Sequence, residues 1–168
     1  MKGFCFVAGT EIATPEGGKA IETFKAGDAV ISLDAVNDVI EMHDMGEHET
    51  YMLSTVDCTV PTTASEKVLT PEGLKVVESL VIGEPIMTVH GYQPVTQCEP
   101  TGKVEQVYEL QCTGDNLFYA NGIMAEGINE DELQAIKDKL NSNEDADNKG
   151  TKKTSKKGSK KNTEKVEE

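Results

Sequence analysis

The sequence predicts an all-β fold built from two copies of one supersecondary unit. Two observations carry this. Short apolar runs of strand length alternate with turn signals through residues 4–127. Residues 12–32 also align without a gap on residues 68–88, at an offset of 56 with seven of 21 positions identical. Most remaining pairs swap like for like: Ile21/Val77, Phe24/Leu80, Asp28/Glu84, Val30/Ile86. Shared turn residues at fixed places favour a structural repeat over chance similarity. Two such copies would pack as a pseudo-two-fold pair, each covering the other's apolar face.

Taken in order, Val30-Ile31-Ser32-Leu33, Tyr51-Met52-Leu53-Ser54, Pro85-Ile86-Met87-Thr88-Val89 and Val107-Tyr108-Glu109-Leu110 have strand length and β-rich composition. Thr14-Pro15-Glu16-Gly17, Gly27-Asp28, Thr70-Pro71-Glu72-Gly73, Gly83-Glu84 and Asn121-Gly122 punctuate them. Asn121-Gly122 is the signature of a tight hairpin whose two central residues need φ > 0. His90-Gly91 reads as a strand end. His43 and His48 lie among acids in Glu41-Met42-His43-Asp44-Met45-Gly46-Glu47-His48, which reads as a solvated loop ahead of a metal site.

The domain plan is a β domain over 1–127, an amphipathic helix over 128–141 and a disordered lysine-rich tail over 142–168. Asn129 and Glu132 form a capping box. Leu133, Ile136 and Leu140 then fall on one helical face, with acids opening the helix and Lys137 and Lys139 closing it. That face suits the domain's own sheet or a partner's groove. From Ser142 on, the apolar residues are Ala146 and Val166, while Lys152-Lys153, Lys156-Lys157 and Lys160-Lys161 recur between Thr, Ser and Gly. Such a segment cannot bury enough surface to offset its ordering entropy.

Charge bounds the partners. Every basic residue is lysine. Residues 1–141 hold eight Lys against 24 Asp and Glu, and residues 142–168 hold eight against six. An acidic core without guanidinium forks argues against nucleic-acid binding by that core and leaves such binding to the tail, Lys152–Lys161. Cys5, Cys58, Cys98 and Cys112 lack CxxC spacing, so neither a zinc cage nor any other cofactor is expected. No apolar run has membrane-spanning length, and the start carries no secretory signal. Reduced thiols in a cytoplasm are the expectation.

Three blocks carry a family resemblance. Cys5-Phe6-Val7-Ala8-Gly9-Thr10-Glu11-Ile12, with Thr14-Pro15-Glu16-Gly17 and Ile21 through Asp28, resembles the opening of hedgehog/intein (Hint) domains. Thr63-Ala64-Ser65-Glu66 resembles the family's Thr-x-x-His block. Val107 through Leu110 and Phe118 through Gly127 resemble the closing block, which normally ends in His-Asn. The resemblance covers residues 5–127. It implies an all-β Hint-like horseshoe of two pseudo-symmetric β subdomains, with the C-terminal helix and tail appended. It also implies self-processing chemistry. Cys5 attacks the Phe4 carbonyl to give a thioester, a task suited to a thiol, and the Thr-x-x-His block helps expel the amide nitrogen.

The sequence departs from the family at each histidine. Glu66 stands where the His of the Thr-x-x-His block belongs, and an ordinary Glu is an anion at neutral pH with no proton to give. Asn116 takes the place of a second His. Glu126-Gly127 replaces His-Asn, and Gly has no side chain to cyclise, which removes splicing and C-terminal release. Cys5, Thr63 and Glu66 therefore read as vestigial catalytic positions, with Cys5 serving as a small buried core residue. An ionised Glu66 should be solvated, or paired with Lys67 or a backbone donor.

The expected function is a degenerate Hint domain acting as a non-enzymatic structural or interaction module with a protein partner, in a bacterial or bacteriophage setting such as a virion. One alternative is an active autoprocessing domain that cleaves at Phe4-Cys5. The other is a tail-mediated nucleic-acid-associated factor. Strong burial of Glu66 would favour the first alternative, because a desolvated carboxyl keeps its proton.

Overall fold

A computed structural model describes residues 5–138. Thirteen strands make up the β domain: β1 Phe6–Val7, β2 Glu11–Thr14, β3 Gly17–Ala20, β4 Ala29–Ile31, β5 Val36–Ser54, β6 Thr59–Thr62, β7 Lys67–Thr70, β8 Gly73–Val76, β9 Pro85–Thr88, β10 Gly91–Pro94, β11 Gln97–Cys112, β12 Leu117–Ala120 and β13 Ile123–Glu126. Short 3-10 turns at Ile21–Thr23 and Val77–Ser79 follow β3 and β8. One sheet has the order β11-β1-β6-β5-β4, and β5 also pairs directly with β11, so β11, β1, β6 and β5 form a closed ring. The second sheet runs β10-β9-β13-β12-β2-β3, with β7 joined to β13 and β8.

The repeat read from the sequence is physically real, and its conserved residues do the same jobs twice. Thr14 Oγ1 donates to the Gly17 carbonyl at 2.6 Å, and Thr70 Oγ1 does so to Gly73 at 2.7 Å. Each turn lets the chain reverse between β2 and β3, or β7 and β8. Lys19 pairs with Asp28 at 2.7 Å, and Lys75 pairs with Glu84. Asp28 caps the N–H of Lys25 as Glu84 caps that of Val81. The apolar pairs Ile12/Val68, Ile21/Val77, Phe24/Leu80, Val30/Ile86 and Val39/Val95 are all buried in one core. Phe6 and Phe118 meet edge to face in that core, with ring centroids 5.9 Å apart.

Two expectations need correction. The strands were read as short, but β5 spans 19 residues and β11 spans 16, forming a long antiparallel ribbon. His43 and His48, read as part of a solvated loop, lie within β5, where His43 pairs across the ribbon with Glu109 and His48 with Glu105. The segment escaped recognition because one side of the ribbon faces water and its strands are correspondingly polar.

Asn121 and Gly122 make the turn between β12 and β13 with φ of 49° and 90°, as an Asn-Gly hairpin requires. His90 sits in the turn between β9 and β10. Residues 130–138 are helical, consistent with Asn129 as the cap, and the chain divides into two compact units between Asn129 and Glu130. The end of the expected helix and the tail over 142–168, with Lys152–Lys161, lie outside the described residues. Among the described residues no helix is long and apolar enough to cross a membrane.

Candidate active site

The three residues singled out from the sequence converge. Cys5, just ahead of β1, is fully buried. Its backbone N–H and its carbonyl are both held by Thr62 and Thr63 at the end of β6. The Cys5 N–H donates to Thr63 Oγ1 at 3.0 Å, while the Cys5 carbonyl accepts from the Thr63 N–H at 3.0 Å and from Thr62 Oγ1 at 2.6 Å. This grip follows from the pairing of Phe6 with Thr62, which continues one residue outward to Cys5 and Thr63.

The spacing of Thr63 and Glu66 has a simple cause. Residues 63–66 form one turn, closed by the Glu66 N–H on the Thr63 carbonyl at 3.3 Å, so positions i and i+3 return to the same place. The turn is itself pinned: the Val77 N–H donates to the Glu66 carbonyl at 2.8 Å and the Glu78 N–H to that of Ala64 at 3.0 Å. The Glu66 side chain is 1% exposed, and its Oε2 accepts from the Lys67 N–H at 3.0 Å. Of the alternatives open to Glu66, solvation is excluded and a backbone donor is present.

The sequence reading missed Glu109. It lies on β11 one residue beyond the Phe6–Tyr108 pair, which places it across from Cys5 as Thr63 lies across on the other side. Glu109 is 0% exposed. Its Oε1 accepts from the Leu110 N–H at 2.9 Å, and its carboxyl meets that of Glu66 at hydrogen-bonding range. Oε2 of Glu109 has no N–H or O–H donor among the described residues, so a proton carried by one of the two carboxyls is what makes that contact a bond. Burial above all, then the charge of Glu66 and its hydrogen bond, then Cys5, hold the Glu109 carboxyl well above the usual carboxylate range. One signal could have revealed it. In Val107-Tyr108-Glu109-Leu110 the acid alternates in phase with Val107, on the inward side of a strand.

The positions of the family's closing histidines are filled structurally. Asn116, in the left-handed region at φ 60°, accepts the Cys112 N–H at Oδ1 (2.8 Å) and donates from Nδ2 to the Ile128 carbonyl at 3.1 Å. The Gly127 N–H donates to the Asn116 carbonyl at 2.8 Å. A Cβ at Gly127 would fall inside van der Waals contact of the Leu110 carbonyl oxygen and 2.6 Å from Asn116 Oδ1. The domain has thus closed around a glycine where the family carries Asn. Glu126 approaches Lys67 Nζ at 3.9 Å.

The other thiols are unsuited to nucleophilic work. Burial pushes Cys58 and Cys98 up, and pushes Cys112 up to about 12 with help from the Asp115 charge. No group of three or more His, Cys, Asp or Glu side chains is placed to hold a metal among the described residues.

The Hint domain family model matches residues 4–52. The gp41-1 intein superposes with a TM-score of 0.69 at 21% identity, over 74% of this chain and 99% of that one. A DnaB intein from Synechocystis sp. PCC 6803 gives the same values. This chain carries a Hint/intein-like domain. The bacterial intein-like domain from Clostridium thermocellum matches at 26% identity and a TM-score of 0.66, over 75% of this chain and 99% of that one. No curated protein matches the chain. The Hint fold accounts for the two pseudo-symmetric β subdomains.

Proposed function

We propose that this Hint/intein-like domain carries out only the first reaction of Hint chemistry, an N-to-S acyl shift at the peptide bond preceding Cys5, and does not splice. The observation that carries this reading is the buried pair of carboxyls, Glu66 and Glu109, set against Cys5. Two like-charged groups removed from water are a standing cost to the fold, and such arrangements concentrate at functional sites. A packing role for Cys5 alone gives no reason for two acids beside it. The grip on the Cys5 amide supports the same reading. Thr63 Oγ1 receives the N–H of the bond to be broken, and Thr62 and Thr63 fix the Cys5 carbonyl, so the thiol and the preceding peptide are held in a defined relation. The lack of any side chain at Gly127 removes the cyclisation that would release a downstream segment.

The test is intact mass spectrometry of the full chain with time, with and without dithiothreitol. Release of residues 1–4 that is absent in Cys5→Ala supports the acyl shift, and an unchanged mass rules it out.

A second reading is favoured by the closure around Gly127: a retained scaffold that binds a protein partner, in a bacterial cell or a virion, with no chemistry at Cys5. It accounts for an unchanged mass.

A further inference from the structure

The geometry points to Glu66 and Glu109 as a one-proton acid–base pair that serves both halves of the acyl shift at Cys5, standing in for a histidine. The inference rests on the acyl-shift reading and adds the groups that move the protons.

The argument starts from burial. Glu66 comes from the turn after β6 and Glu109 from near the end of β11, and both are closed off from water. Two carboxylates in hydrogen-bonding contact in such a site cannot both ionise. Glu66 accepts the Lys67 N–H and Glu109 the Leu110 N–H, and the contact between the two carboxyls is a hydrogen bond only when one of them keeps its proton. Among the described residues the other titratable groups around Glu109 are few. Cys5 flanks it from the β1 side. His43 lies opposite it on β5, with Nε2 3.8 Å from Glu41 Oε1. On the two 3-10 turns, Glu22 is engaged by the Gly9 N–H at 2.8 Å, and Glu78 is exposed.

A pair holding one proton contains both a base and an acid, and the acyl shift needs one of each. The thiol proton passes to the ionised carboxylate as the Cys5 sulfur bonds to the carbonyl carbon of residue 4. The carbon–nitrogen bond then breaks, and the protonated carboxyl delivers its proton to the departing Cys5 nitrogen. The products are a thioester and a free amine, and the pair again holds one proton. Nothing is oxidised or reduced, and no further reactant enters. Added dithiothreitol exchanges onto the thioester and frees residues 1–4 as its own thioester.

The pair is competent only with one proton aboard, so the rate should be bell-shaped in pH. The experiment follows release of residues 1–4 from the full chain in dithiothreitol by intact mass, from about pH 4 to about pH 9, for wild type, Cys5→Ala, Glu66→Gln and Glu109→Gln. Each Gln variant should be slower by about 100-fold or more and should lose one limb of the bell. Infrared spectroscopy at neutral pH is the second readout. A protonated-carboxyl band should be present in wild type and absent in the Glu66→Gln/Glu109→Gln double variant. Cys5-dependent release that neither Gln substitution slows overturns the pair and leaves the acyl shift standing. A missing carboxyl band overturns the shared proton whatever the release rate. A band without any Cys5-dependent release overturns both the acyl shift and the pair's role in it.

Discussion

The Cys5 N–H rests on Thr63 Oγ1 at 3.0 Å, and the Thr63 N–H returns to the Cys5 carbonyl at the same distance. This reciprocal clasp joins the first described residue of the chain to the turn that carries Glu66. Thr63→Val keeps the shape and removes the acceptor, leaving a buried N–H without its partner. The expected loss is about 1–3 kcal/mol of stability, read from urea midpoints, with a slower release of residues 1–4. Thr63→Ser should hold both near wild type, since it keeps the oxygen.

Gly127→Asn restores the family residue in name, and the structure gives a reason why it should not restore function. The new Cβ meets the Leu110 carbonyl and Asn116 Oδ1, both fixed by the strand pairing and the hydrogen bonds around them. The expected outcome is a loss of about 1–3 kcal/mol from overpacking, with no cleavage after residue 127 by intact mass.

Stability should peak under mildly acidic conditions and fall toward alkaline pH. Burial first, then Glu66, raises the Glu109 carboxyl, so the folded chain binds that proton more tightly than the unfolded chain does. Its contribution is complete below the unfolded Glu value near ~4.3 and is lost as pH rises through the folded value. The opposite holds for two other acids. Asp28 is lowered by the Lys19 hydrogen bond and then the Lys25 N–H, and Glu84 by Lys75 and then the Val81 N–H. Their contribution is present above the unfolded values and disappears as pH falls through the folded ones. Urea midpoints across pH should therefore trace a dome, and Glu109→Gln should flatten its alkaline side while leaving the acid side in place.

The repeat was legible because its identical residues sit where geometry tolerates little change. Thr14 and Thr70 close the same turn, and Lys19 and Lys75 reach an acid nine residues on. The Cys5, Thr63 and Glu66 cluster was legible through motif order, and the Thr63–Glu66 spacing turned out to be a single turn. Glu109 was hidden because its partners, Cys5 and Glu66, are remote in sequence and meet it only through strand pairing. The ribbon of β5 and β11 was hidden for a related reason. Outside residues 51–54 and 107–110 each strand is polar enough to pass for a loop, and only the partner strand satisfies its backbone groups. Solvation or burial of Glu66 was the open question that the sequence could pose but not answer, since burial depends on what packs above a residue.

The Asn121-Gly122 turn offers a check on the closing hairpin that separates two causes of strain. Gly122 has φ +90°, and a Cβ there would lie 2.8 Å from Cys58 Sγ. The sulfur is the end of a side chain and can rotate away, whereas the backbone angle is fixed by the hairpin. Asn121 also holds the hairpin in place, accepting the Glu11 N–H at 2.7 Å and donating to the Thr59 carbonyl at 3.0 Å. Conformational strain should therefore dominate in Gly122→Ala, with a loss of about 1–3 kcal/mol. Adding Cys58→Ala removes the sulfur contact but leaves the backbone angle as it is. A double-mutant cycle on urea midpoints measures the share of each. The coupling between the two sites should be the smaller part of the Gly122→Ala loss. A coupling that accounts for most of it would assign the strain to the Cys58 contact and show that the turn itself accepts alanine.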